Sequence, residues 1–241
     1  MPGPLPAFFI MKKLTHIFVL ISLLILTSCC GHKKYFQPSG IIDRTEEFSG
    51  KNTWVSLGHN ERIDGYTRIN GDIYGGEIAC NVKPLKNIDI KTFEVLAGTQ
   101  YAKDKNHVYY PITITCIDYV DCGVCYYSKV LVADANPANF RYLGKDYATD
   151  GKHVYFRGEL LEGADGTTFK VIEGPEYFYF ATDKNQVFMH GKVFRDADPA
   201  TFYYDEANPR NLISEWSNRY IIGDKRNKWE FTPPDKILRI D

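Results

Sequence analysis

The sequence lacks an excess of either charge: 29 Lys and Arg stand against 30 Asp and Glu, a formal charge of -1. No basic field is present to attract a nucleic-acid backbone, and no block of like charge marks a solvated tail. Nucleic acid is therefore not an expected partner. A Gly-rich phosphate loop is missing as well; Gly75-Gly76 is a turn signal with nothing after it to hold a phosphate. The serines, Ser214 among them, have no Gly-x-Ser-x-Gly setting. No stretch carries the dense Asp, Asn and Glu spacing of a calcium loop. Neither a cofactor nor a metal is expected. The apolar run Ile17–Leu26 stops at ten residues, short of the roughly 20 that cross a bilayer as a helix.

What is abundant is aromatic. Residues with Phe, Trp or Tyr side chains make up 15% of the chain, led by 17 Tyr and 15 Phe. These residues favour pleated, half-buried surfaces, so the composition leans toward strands.

The N-terminus reads as an export signal. Lys12 and Lys13 precede the apolar run, and the small residues Thr27 and Ser28 follow it. Leu26-Thr27-Ser28-Cys29 resembles the bacterial lipobox, in which the cysteine thiol carries a diacylglycerol and becomes the first mature residue. A register on Cys30 would set Thr27 where the lipobox prefers Leu, so Cys29 is the expected lipidation site. Met11 is the natural start, and residues 1–10 read as an upstream extension. The implied layout is a signal peptide over 1–28, a lipid-anchored tether over 29–50 and a folded domain over 51–241. More than one acyl chain is needed for stable anchoring, and a triacylated Cys29 meets that need. Cys30 occupies the place of the Asp that retains lipoproteins in the inner membrane, which points to the outer membrane.

Self-similarity organises the mature chain. Tyr101-Ala-Lys-Asp-Lys-Asn-His-Val-Tyr109, Tyr147-Ala-Thr-Asp-Gly-Lys-His-Val-Tyr155 and Phe180-Ala-Thr-Asp-Lys-Asn-Gln-Val-Phe188 are copies of one phrase. A second phrase accompanies it: Ala133-Asp-Ala-Asn-Pro-Ala-Asn-Phe140, Gly163-Ala-Asp-Gly-Thr-Thr-Phe169 and Asp196-Ala-Asp-Pro-Ala-Thr-Phe202. A weaker copy opens at Tyr66 and continues to Ile88-Asp-Ile-Lys-Thr-Phe93; a half copy closes at Asp224–Trp229. The first phrase reads as a hairpin turned at its Asp, whose side chain bonds nearby backbone. The second reads as one helical turn with Asp as its cap and its last Phe aimed at a core. The expected fold is all-β: tandem stacked hairpin repeats with one-turn helices, each unit burying its apolar residues only against its neighbours. Trp216 and Trp229 are expected to cap the last repeat.

On the triplets Asp104-Lys105-Asn106, Asp150-Gly151-Lys152 and Asp183-Lys184-Asn185, each followed by aromatics, the chain resembles the DKNYY family over roughly residues 66–205. The resemblance implies a bacterial surface or periplasmic repeat protein, often lipid-anchored, and no established activity.

Four cysteines remain in the domain: Cys80, Cys116, Cys122 and Cys125. Outside the cytoplasm an even set usually means disulfides, and four permit three pairings. Cys80 follows Tyr74 by six residues and Cys116 follows Tyr109 by seven, so repeat register favours Cys80–Cys116 and leaves Cys122 with Cys125. A redox pair at Cys122-Gly-Val-Cys125, without a surrounding βαβ pattern, and a zinc site are the competing readings. His107 and His153 share a repeat position and His190 does not, which breaks any ligand column. In period-2 strands one of two adjacent aromatics faces outward. Tyr109, Tyr110, Tyr126, Tyr127, Tyr155, Tyr203 and Tyr204 are therefore candidates for a binding surface. The expected function is a non-enzymatic envelope lipoprotein, membrane-held through Cys29, that binds a protein partner. The alternatives are an immunity lipoprotein, a thiol-disulfide redox protein using Cys122 and Cys125, and a purely structural tether.

Overall fold

Short aromatic strands separated by tight turns fold into small sheets, five of them among the described residues and arranged in chain order. The computed structural model describes residues 40–75, 83–115, 125–174, 177–205 and 219–240. The export segment, Cys29, Cys80, Cys116, Cys122 and Trp216 lie outside the described residues.

Sheet 1 contains β1 (Ile42–Asp43), β3 (Glu61–Ile63), β4 (Tyr66–Ile69) and β5 (Asp72–Tyr74). Sheet 2 has β2 (Trp54–Ser56), β6 (Glu94–Leu96), β7 (Ala102–Lys103), β8 (Val108–Thr115) and β9 (Cys125–Leu131). Sheet 3 runs β10 (Arg141–Gly144), β11 (Tyr147–Thr149), β12 (Val154–Phe156) and β13 (Glu159–Leu160). Sheet 4 repeats that order with β14 (Lys170–Val171), β15 (Phe180–Thr182), β16 (Val187–Met189) and β17 (Lys192–Phe194). Sheet 5 does so with β18 (Tyr203–Tyr204), β19 (Tyr220–Gly223), β20 (Lys228–Thr232) and β21 (Lys236–Arg239). Among the described residues all pairings are antiparallel except β1 with β3, which is parallel. That pairing corrects the domain boundary: residues 42–48, expected as tether, supply β1 and the short helix α1 (Thr45–Phe48). Ile42 donates to the Asn60 carbonyl and Arg44 to that of Arg62, which ties this segment to sheet 1.

Each pair of neighbouring sheets shares a core, and strand residues alternate between two of them. In sheet 3, Tyr147 and Val154 pack with Phe169, Ala181 and Phe188 on the side of sheet 4. Ala148 and Tyr155 pack with Leu96, Tyr101 and Phe140 on the side of sheet 2. Phe180 and Val187 continue the pattern toward Ile222, Trp229 and Phe231 of sheet 5. Sheet 1 meets sheet 2 through Ile63, Tyr66, Phe93 and Tyr109. Burying each large side chain contributes about 1.5–3 kcal/mol, and here most of that gain is made between units. Trp229 corrects the expected cap: it takes the place of the second aromatic of the repeat, within the core of sheets 4 and 5.

The hairpin tips opposite the Asp turns are tight two-residue turns. Asp64-Gly65, Lys145-Asp146, Arg157-Gly158 and His190-Gly191 each have two successive positive φ values, the geometry whose twist matches paired strands. Gly158 sits where a Cβ would lie 2.6 Å from the Tyr110 Cβ, and Gly191 where one would lie 2.7 Å from the Phe156 ring. The glycine thus permits a left-handed turn and close approach of the preceding unit.

Candidate functional site

The repeated Asp is a latch joining the two phrases of the repeat. Asp104 accepts the amides of Asn106 (2.7 Å) and His107 (2.8 Å) on one oxygen and that of Asp89 (2.8 Å) on the other. Asp150 does the same with Lys152, His153 and Asn136. Asp183 does so with Asn185, Gln186 and Asp165. Asp224 does so with Arg226, Asn227 and Asp198. All four aspartates are buried. Burial alone would raise the Asp104 carboxyl; the Tyr109 hydroxyl and the three amides outweigh it and hold the group below the ordinary carboxylate range. At Asp150 and Asp224 burial is likewise overcome by the amides. The partner phrase closes a single turn, with the amide of Thr92, Thr168 or Thr201 donating to the carbonyl three residues earlier. The Phe ending each phrase (Phe93, Phe140, Phe169 and Phe202) is buried, as expected.

With one end of the strands locked, the opposite ends of the first three sheets converge on a groove of about 880 Å³. Its lining combines the Asp64-Gly65 and Gly98–Gln100 turns with Tyr101, Tyr110, Tyr142, Asp146 and Arg157. Arg157 donates to Asp146 at 2.8 Å and lies over the rings of Phe156 and Tyr179, 5.2 and 5.1 Å from their centroids. Burial works against the Arg157 cation, and Asp146 outweighs it. The Tyr142 hydroxyl accepts the Asp146 amide. Tyr101 stacks edge-on to Tyr110 with centroids 4.8 Å apart, and its hydroxyl accepts the Gly158 amide. Burial, with Asp146 nearby, pushes the Tyr110 hydroxyl up to about 12. Burial also raises the Asp64 carboxyl, against the Gly98 amide that it accepts at 2.7 Å.

The expected binding tyrosines divide. Tyr110 lines the groove. Tyr109 and Tyr155 are fully buried, contrary to the expectation of exposure: the strands have a sheet against each face, so alternation exchanges one core for another. Tyr203 and Tyr204 are half-buried in sheet 5, where Tyr204 packs on Phe178 and Tyr220. Tyr126 and Tyr127 lie on β9 and pair with Ile114 and Thr113; the orientation of their side chains is outside the described residues. Cys125 opens β9 opposite Thr115; its pairing and that of the other three cysteines lie outside the description. Asp64, Tyr142, Asp146 and Arg157 were not singled out by sequence reasoning. Only the Asp-Gly and Arg-Gly dipeptides signalled turns there. Among the described residues no group of three or more His, Cys, Asp or Glu side chains is placed to hold a metal ion. No helix among them is long and apolar enough to cross a membrane.

The fold and its latches define a tandem β-repeat protein in which one meander forms each unit. The DKNYY family model matches residues 33–113 and 117–192, more than half of the chain, and the protein belongs to the DKNYY family. Comparison with curated proteins and with solved structures returns no match.

Proposed function

We propose that this chain is a non-enzymatic, lipid-anchored protein of the cell envelope that binds a partner protein through the groove across sheets 1 to 3. The observation that carries the reading is the groove's lining. Half-buried Tyr110 and Tyr142, with Arg157 at the rim, combine apolar area with polar ends, the residue types that dominate binding hot spots. Leu26-Thr27-Ser28-Cys29 supports export and lipidation at Cys29, and the following Cys30 supports the outer membrane as destination. Latches at one end of the strands and binding surface at the other separate stability from recognition. The same division lets turns vary while the stack stays fixed.

The test places a photo-crosslinking benzoylphenylalanine at Tyr142 of the full chain in its own cells. Irradiation is expected to give one discrete adduct from Tyr142 and none when the probe replaces Lys152, an exposed residue at the latch end. Equal labelling from both positions, or none from Tyr142, would overturn the reading.

A further inference from the structure

We infer that the groove takes an extended peptide segment bearing a lysine or arginine, whose cation pairs with the Asp64 carboxylate while the rest of the segment lies along Tyr110 and Tyr142. The inference deepens the proposed function and rests on it. Among the described residues three charged side chains line the groove: Asp64, Asp146 and Arg157. Two of them neutralise each other, because the Arg157 guanidinium bonds Asp146 at 2.8 Å and is held from behind by Phe156 and Tyr179. The charge left facing the groove is Asp64. Its hydrogen bond comes from a backbone amide, and no lysine or arginine among the described residues pairs with it. Asp43 adds to the negative potential there.

Ligand chemistry follows from that sign. A ligand anion would meet Asp64 unscreened, and an apolar ligand would cover a carboxylate without supplying a partner, which costs several kcal/mol. A cation relieves both. The Tyr110 hydroxyl makes no hydrogen bond among the described residues and so is available to the ligand. Shape selects a peptide over a small cation. The groove crosses three successive units, from Asp64 in sheet 1 to Arg157 in sheet 3, and its volume of about 880 Å³ far exceeds one ammonium group. An extended segment running along the stack fills that length and leaves one basic side chain to enter beside Asp64.

The test is selection of a phage-displayed library of random linear dodecapeptides on the full-length protein in detergent. Enriched peptides are expected to carry Lys or Arg at a fixed position. Their affinity should fall at least about tenfold when that residue is replaced by methionine, and equally with Asp64→Asn, as for removal of one member of a charged pair. Asn at this position keeps the turn, since its side-chain oxygen accepts the Gly98 amide as Asp64 does. Tyr142→Ala should weaken the same peptides. Neutral or acidic winners sensitive to Tyr142→Ala would overturn the basic-peptide assignment and leave the binding groove standing. Basic winners indifferent to Asp64→Asn would overturn the placement of the cation. A library without enrichment would overturn the inference, while the Tyr142 crosslink still reports on the partner-binding reading independently.

Discussion

In the fourth unit Lys184 reaches across the latch to Asp165 at 2.5 Å; in the third, Gly151 and Asn136 hold the corresponding places and carry no charge. The second and fifth units follow the fourth, with Lys105 on Asp89 and Lys225 on Asp198. A third position changes in step. Thr92, Thr168 and Thr201 accept the amide of that lysine through their hydroxyls. In the third unit Asn139 stands in the Thr position, and the Gly151 amide turns instead to the Thr149 hydroxyl. Through all of this the buried Asp and its three amides persist. The ion pair is thus an exchangeable addition made by residues that change together, and the latch itself is the carboxylate.

Acid set against salt separates the two contributions, because acid protonates the latch carboxyls and also Asp89, Asp165 and Asp198, which their lysines hold low, whereas salt weakens only the ion pairs. The Asp104, Asp150 and Asp224 carboxyls are depressed in the folded state. Their stabilisation is therefore complete above the unfolded value, near pH 4, and lost as the pH falls through the folded values. The thermal midpoint, followed by circular dichroism, should drop steeply below about pH 4, whereas about 1 M NaCl at neutral pH should change it little. Salt and acid acting equally would make the lysine ion pairs the true latch.

A single deletion comes next. Asp183→Ala leaves three amides without an acceptor and should cost about 3 kcal/mol in urea unfolding. Asp150→Ala should match it within about 1 kcal/mol despite the missing lysine. Gly158→Ala is expected to cost about 2 kcal/mol, since φ is +75° and the new Cβ meets Tyr110. Lys184→Ala should move the urea midpoint least, by no more than about 0.5 kcal/mol, as the lysine end of its pair with Asp165 is exposed.

Much of the architecture was legible because the repeats are written out in order: the Asp turns, the buried phrase-ending Phe residues and the half copy at Asp224 all stand where the copies put them. The second oxygen of each Asp was not legible. It reaches back 14 to 26 residues, to Asp89, Asn136, Asp165 or Asp198, and no local rule specifies such a contact. The two-step strand period misplaced Tyr109 and Tyr155 for a physical reason: it assumes one wet face, and stacked sheets have none there. The groove escaped because its residues come from three units and none belongs to the repeated phrase, except the tyrosines that also serve packing.

Shared cores set an order in time as well as in space. Successive latch aspartates, Asp104, Asp150, Asp183 and Asp224, are 33 to 46 residues apart. Each new meander therefore keeps one aromatic face uncovered until its successor joins it. Interrupted synthesis leaves such a face bare wherever it stops, so a truncated chain ends in an adhesive surface rather than a smaller finished protein.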